Sequence, residues 1–299
     1  MKILSNKSRY KYMRLLSRIP LVRQIGIFLS IKLAPKNRVV NPTLERVELK
    51  PNYDFNRVVS ELREEGISNC FRLKKETVKK LFEYIENKPV FAYRDVKWGY
   101  YLKDKKQMEK KIGKSILLSQ YFNIEENELF SDILHSPLLL KVAKSYLGPA
   151  IKTVGTILWW THPANVSKEE RIKQAHFFHR DVDDYKFLKI FFYLTDMKDF
   201  DGAHVFVKGS HRPGFKEFFE EGLKVKRYDD NQINSRYPNK TEIVLGKSGD
   251  GFAEDTLGFH KANSPIKRPR LAFEVVYAIN DYNLMNDHRN VSGFVINEF

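Results

Sequence analysis

The sequence predicts a mainly β protein with flanking helices, an α+β chain whose strands form an antiparallel sandwich or barrel. Three observations predict it. Helical periodicity dominates up to Gly148. After Gly148, short runs of β-branched and aromatic residues alternate with turn residues. Strands and helices do not alternate there, so a parallel sheet is not expected.

The helices come first. Residues 54–65 place Val58, Val59 and Leu62 on one side, with Gly66 at the stop. Residues 77–86 read as a second helix. Ser136-Pro137 opens a third. The serine hydroxyl suits the free amides of a first turn, proline tolerates a position that needs no N–H, and Gly148 follows the last turn. Upstream, residues 8–33 read as one or two basic amphipathic helices. Pro20 is expected to open the second, and Leu21, Val22, Ile25, Phe28, Leu29 and Leu33 recur at helical spacing. The expected strands are 151–161, 174–179, 187–195, 204–207, 258–261 and 271–278. The organisation is thus a basic amphipathic extension over residues 1–45 and a single domain over residues 46–299, without internal repeats.

Hydrophobic residues make up 42% of the chain, including 22 Phe and 15 Tyr, which is ample core material. The single cysteine, Cys70, excludes an intrachain disulfide framework and a cysteine-built zinc site. The formal charge is +15. Ten Lys or Arg and no Asp or Glu fall within the first 40 residues. No apolar run reaches the roughly 20 residues that a spanning helix needs. The expected location is cytoplasmic. The basic segment either packs on the domain or lies on the anionic inner face of a membrane.

The chemistry is concentrated in His179-Arg180-Asp181. Residues two apart in a strand point to one face, so an imidazole and a carboxylate stand side by side. His260, on a later short strand, supplies a second imidazole. Two histidines and one carboxylate on one side of a metal leave the opposite positions open, an arrangement that suits non-haem iron. Arg270 follows ten residues later, at the start of a strand. Its guanidinium can grip a carboxylate with two parallel hydrogen bonds.

From about Asp132 to Tyr277 the chain resembles the phytanoyl-CoA dioxygenase-like branch of the Fe(II)/2-oxoglutarate oxygenases. The resemblance rests on Ser136-Pro137, Tyr146-Leu147-Gly148, His179-Arg180-Asp181, 191–196, Asp201-Gly202-Ala203, 208–212, Gly249-Asp250, His260, Asn263 and 270–273. It implies a double-stranded β-helix (jelly roll, cupin-like). It also implies Fe(II) on His179, Asp181 and His260, with 2-oxoglutarate and O2 as cosubstrates and Arg270 as the carboxylate clamp. The implied reaction is hydroxylation. The sequence departs from the family at Ala262, where a hydroxyl-bearing residue is common. Ser264 and Thr256 are the polar cosubstrate contacts expected in its place, and Arg268 is the alternative clamp. His176 is expected to be structural or substrate-facing, Asp183 and Asp184 to form a solvated turn, His211 to shape its turn, and Trp159 and Trp160 to be core or pocket wall.

The positive charge suits an anionic substrate, small or lipid-linked, and one at a membrane surface in particular. The Kdo sugar of lipopolysaccharide fits this description. An acyl-CoA or a small biosynthetic intermediate is the alternative, and a non-catalytic binding protein on the same fold is a third reading. Nucleic acid is not expected as a partner, because no aromatic-basic stripe is present.

Overall fold

A computed structural model describes residues 5–33, 44–284 and 287–299. Its strands are β1 (Val47–Leu49), β2 (Ile67–Leu73), β3 (Val90–Ala92), β4 (Gly99–Tyr100), β5 (Leu118–Tyr121), β6 (Lys152–Thr161), β7 (Phe187–Tyr193), β8 (His204–Val207), β9 (Thr241–Val244), β10 (Asp250–Glu254), β11 (His260–Ala262) and β12 (Arg270–Ala278). The helices are α1 (Asn6–Leu16), α2 (Pro20–Leu33), α3 (Phe55–Glu64), α4 (Lys75–Ile85), α5 (Lys105–Ile112), α6 (Glu128–Leu134), α7 (Pro137–Leu147), α8 (Lys168–Lys173), α9 (Phe215–Glu221) and α10 (Asp230–Arg236).

Among the described residues the strands form a nine-stranded sheet, in the order β1-β2-β10-β7-β12-β6-β5-β3-β4, and a three-stranded sheet, β11-β8-β9. Antiparallel bridges Phe178–Tyr228 and His179–His260 widen the small sheet. From β6 onward the chain shuttles between sheets. β6, β7, β10 and β12 lie in the large one, while 178–179, β8, β9 and β11 lie in the small one. Two facing antiparallel sheets wound in this way make a jelly roll.

The two-residue period of the central strands separates structure from site. Leu188, Ile190 and Phe192 of β7 join Leu271, Phe273, Val275 and Tyr277 of β12 in one apolar cluster. That cluster also holds Val58 and Leu62 of α3, Leu81 and Ile85 of α4, Phe130 and Ile133 of α6, and Leu139 and Val142 of α7. The alternate positions, Lys189, Arg270 and Glu274 among them, line a cavity on the opposite face. Both strands are buried along their whole length, which is why they read as continuous apolar runs.

The local signals hold where they are capped. Asp54 accepts from the Arg57 amide at the start of α3, and Ser136 accepts from the Leu139 amide at the start of α7. Gly148 ends α7 at φ +105°, a conformation that favours glycine. Pro20 opens α2 as expected. The division into helices first and strands later is too simple. β1 to β5 precede Gly148 and extend the large sheet at both edges. They are short, and they are held by pairing with β10 and β6, which no local periodicity reports. Residues 174–179 are not a continuous strand. α8 runs to Lys173, a turn follows, and only Phe178 and His179 pair.

The basic N-terminal segment lies against the core. Met13 is buried with Val182, Leu257 and Tyr282, and Ile27 packs on the main cluster. Gly26 abuts Tyr185 so closely that a Cβ there would come within 2.6 Å of the ring. The expected apolar stripe of α2 faces the other way. Leu21 is 61% exposed, Phe28 61% and Leu33 76%, with Ile25 and Leu29 also exposed, while Arg23 is buried.

Candidate metal centre and cosubstrate pocket

His179 and His260 sit directly opposite each other, each donating its backbone N–H to the other's carbonyl at 3.0 Å. A directly opposed antiparallel pair shares a face, and the two rings lie 4.3 Å apart, centre to centre. In each ring Nδ1 lies against a backbone carbonyl, that of Phe177 at 2.9 Å for His179 and that of Gly258 at 3.0 Å for His260. A carbonyl accepts only, so Nδ1 carries the proton and Nε2 presents its lone pair. Both Nε2 atoms point at Asp181. The His179 Nε2 is 3.5 Å from Oδ1, and the His260 Nε2 is 3.5 Å from Oδ2. The three ligand atoms lie within 4.8 Å of one another. Arg180, between the two, turns to the opposite side as a strand requires. It pairs with Glu221 at 3.0 Å and stacks over the Phe259 ring.

The electrostatics suit a cation. Burial, helped by His260, pushes His179 down to about 3, so it stays neutral. For His260, burial works the other way from Asp181, and the carboxylate prevails, raising the imidazole above its usual value. Burial opposes ionisation of Asp181 too, but Lys189 and His260 outweigh it and hold the carboxyl well below the usual range. Lys189 donates to Asp181 Oδ2 at 2.8 Å and pairs with Asp183 at 2.9 Å. Burial disfavours its charge, yet Asp181, Asp183 and Glu274 keep it protonated. The donor set, two imidazoles and one carboxylate, fits Fe(II), and the Nδ1–carbonyl bonds are the outer contacts that orient metal-binding histidines.

Beyond the triad lies a cavity of about 230 Å³. Arg270 lines it and is 4% exposed. Its guanidinium donates to the Gly202 carbonyl and, at 3.1 Å, to the Thr161 hydroxyl. Its Nε has no partner, and among the described residues no carboxylate pairs with it. Burial pushes its pKa down. A buried guanidinium without a counter-charge is costly unless a ligand supplies one, and the distal carboxylate of 2-oxoglutarate is such a group. Arg268, the alternative clamp, is half exposed and paired with Asp201. The structure therefore places Arg270, and not Arg268, in the pocket.

Two expected cosubstrate contacts fall elsewhere. Ser264 is engaged by His176 at 2.6 Å and is absent from the cavity lining. Thr256 is fully buried outside the cavity; its carbonyl accepts from the Asp181 amide at 2.8 Å, which fixes the backbone of that candidate ligand. The hydroxyl near Arg270 is that of Thr161, on β6. Nor do Asp183 and Asp184 form a solvated turn. Asp183 pairs with Lys189 and accepts from Tyr10 of α1 at 3.2 Å, while Asp184 is buried against Asn280. Trp159 is pocket wall as expected, and His211 ties its turn to the Arg63 carbonyl. Lys189, Glu274, His204 and Arg94 also line the cavity and were not singled out from sequence. The signal for Lys189 was there: a lysine inside the apolar run Phe187-Leu188-Lys189-Ile190-Phe191 needs an inward partner.

Comparison with known proteins shows the fold. The epimerase SnoN, solved with Fe3+, alpha ketoglutarate and nogalamycin RO, superposes with a TM-score of 0.50 at 14% identity, covering 75% of this chain and 83% of that one. The chain is a double-stranded β-helix. AviO1 from Streptomyces viridochromogenes Tue57 aligns at 16% identity and a TM-score of 0.47, covering 77% of this chain and 96% of its own. HygX from Streptomyces hygroscopicus, solved with nickel, 2-oxoglutarate and hygromycin B, aligns at 15% identity and 0.46, covering 78% and 89%. No family model matches the sequence, and no curated protein matches it significantly.

Proposed function

We propose that the protein is an Fe(II)- and 2-oxoglutarate-dependent oxygenase that hydroxylates an anionic substrate. One observation carries this reading: three preorganised ligand atoms share a cavity with a buried guanidinium that has no counter-charge. SnoN, on the same fold, was solved with Fe3+ and alpha ketoglutarate. His179, Asp181 and His260 would hold the metal, and Arg270 with Thr161 would hold the distal carboxylate of 2-oxoglutarate. Lys189 fixes Asp181 through its Oδ2 and keeps it ionised. Trp159, Phe191 and Phe252 wall the cavity with apolar surface. When bound, iron supplies the redox chemistry: 2-oxoglutarate, O2 and substrate C–H become succinate, CO2 and substrate C–OH. Purified protein is expected to release succinate from 2-oxoglutarate only with Fe(II) and O2, and to stop when the metal is chelated. Metal-independent succinate release, or none with any metal, sinks the reading.

The site surroundings favour a negative substrate. Arg94 lines the cavity. Arg227, which feels the field of Asp181, has a buried Nη1 without a partner. The Kdo sugar of lipopolysaccharide and an acyl-CoA both belong to this class. A peripheral membrane position is part of the proposal. Lys7, Lys11 and Arg14 of α1 and Lys32 of α2 are exposed in the same segment as the outward apolar stripe. Phe215 and Phe219 of α9 are also exposed, and Arg18, between α1 and α2, donates to the Lys224 carbonyl at 3.5 Å. Residues 5–33 contain no acidic side chain, so a second copy of the same face would be repelled and an anionic bilayer attracted. Each lysine or arginine near the headgroups contributes about 1 kcal/mol. No helix among the described residues is long and apolar enough to cross a membrane. Full-length protein is expected to co-sediment with phosphatidylglycerol vesicles at low salt and to come off as salt rises, with Phe28→Asp weakening the binding. Indifference to such vesicles at low salt removes the membrane component.

A further inference from the structure

A second guanidinium is buried with an unpartnered Nε, in a cleft distinct from the cavity described above. Arg23, on the inward face of α2, is 8% exposed and its Nε has no hydrogen-bond partner. It lines a cleft of about 390 Å³ between α2 and the barrel, together with Arg63, Lys186 and Arg212. Asp255, the one acid in the lining, has both oxygens occupied. Oδ2 accepts from the Tyr146 hydroxyl at 2.6 Å, and Oδ1 accepts from the Leu257 amide at 3.0 Å. Four cations thus face one engaged carboxylate. Three of them are held in place by backbone carbonyls: Arg63 on Ser145 at 3.1 Å, Arg212 on Glu64 at 2.9 Å, and Lys186 on Tyr146. Arg23 has no such anchor.

We propose that this cleft is a binding site for a phosphate group, carried either by a soluble phosphate ester or by a lipid headgroup. The physical reason is the same desolvation argument that applies to Arg270. Taking a guanidinium out of water costs several kcal/mol unless it is paired, and folding retains such a group where a ligand completes the pair. The excess of three positive charges over one negative matches a dianion better than a single carboxylate, and phosphate offers enough acceptor oxygens to bridge several donors. The cleft opens beneath α2, whose outer face carries the exposed apolar stripe, so a headgroup source is sterically compatible with it. The metal site takes no part in this binding.

The test uses full-length protein without iron or 2-oxoglutarate, so its failure is separate from failure of the oxygenase reading. Inorganic phosphate, titrated against chloride at matched ionic strength, is expected to raise the melting temperature and to saturate. Arg23→Met distinguishes a ligand site from an ordinary structural arginine. An unpaired buried charge replaced by an apolar side chain raises the melting temperature in phosphate-free buffer. The same variant loses the phosphate-induced rise, with affinity weakened at least about 30-fold. Lys186→Gln, at the half-buried rim, weakens phosphate binding. Vesicles containing phosphatidic acid, compared with phosphatidylglycerol vesicles of equal charge, separate the sources. A preference for phosphatidic acid that Arg23→Met abolishes assigns the site to a lipid headgroup, and saturable binding of phosphate alone assigns it to a soluble ester. The proposal is overturned if neither probe binds, if binding survives Arg23→Met, or if that variant lowers the basal melting temperature and leaves the phosphate effect intact.

Discussion

Asp181→Ala is expected to abolish both metal binding and succinate release. The carboxylate is the only anionic ligand of the triad, and both imidazole Nε2 atoms converge on it at 3.5 Å. Loss of an outer-shell partner alone typically costs about 10–100-fold in metal affinity or activity, so loss of the ligand itself should exceed about 100-fold. The fold should survive. Lys189 keeps Asp183 at 2.9 Å and Glu274 at 3.7 Å as counter-charges, so the lysine is not stranded. His179→Ala and His260→Ala should behave alike. Metal content per chain, measured by mass spectrometry after reconstitution with Fe(II) or Mn(II), gives a readout independent of turnover. Wild-type protein should retain a single ion per chain and the variants none. Stoichiometric metal and full succinate release in Asp181→Ala would falsify the assignment.

Arg270→Ala is expected to weaken 2-oxoglutarate and leave the metal in place. The guanidinium is buried and anchored by Gly202 and Thr161, with Nε free. Removing one partner of a buried charge pair costs about 2–5 kcal/mol, or about 30-fold and upward in affinity. Arg268→Ala removes only a half-exposed pair with Asp201 and should leave the 2-oxoglutarate constant unchanged. Titration of 2-oxoglutarate into the Mn(II)-loaded protein, followed by calorimetry, separates the two. A loss in Arg268→Ala with none in Arg270→Ala would mean that the clamp is misassigned. Thr161→Val should fall between the two, since it removes one orienting hydrogen bond and no charge.

The pairing of His179 with Asp181 is legible in the sequence because it obeys a short-range rule, whereas His260 joins them only through its long-range bridge to His179. His179 and Asp181 are two apart, so an extended backbone presents them together whatever the rest of the chain does. Arg270 opens β12, one of two long apolar runs that can only be central strands. The helix caps at Asp54, Ser136 and Gly148 and the start of α2 at Pro20 are equally local. The polar shell around the site is not local. Thr161 reaches Arg270 because β6 pairs with β12, and Thr256 supports Asp181 through a carbonyl, whatever its side chain. Ser264 looked suitable by its distance along the chain, but the fold gives its hydroxyl to His176.

The sequence by itself determined the pairing of His179 with Asp181 as candidate ligands, the mainly β class and the basic, acid-free N-terminal segment. These depend on residue type or on spacings of a few residues, and where spacing is involved the backbone geometry of strand and helix converts it directly into direction. Only the tertiary structure decided which face of α2 turns inward. The periodicity of Leu21, Ile25, Phe28, Leu29 and Leu33 defines a stripe but not its partner, and the core already had its apolar complement from α3, α4, α6 and α7. The stripe was therefore left outside, and Arg23 was carried inward to a cleft whose other cations come from α3, from the segment between β8 and α9, and from the approach to β7. That gathering joins residues more than 180 positions apart, and long-range packing, unlike local periodicity, leaves no pattern along the chain.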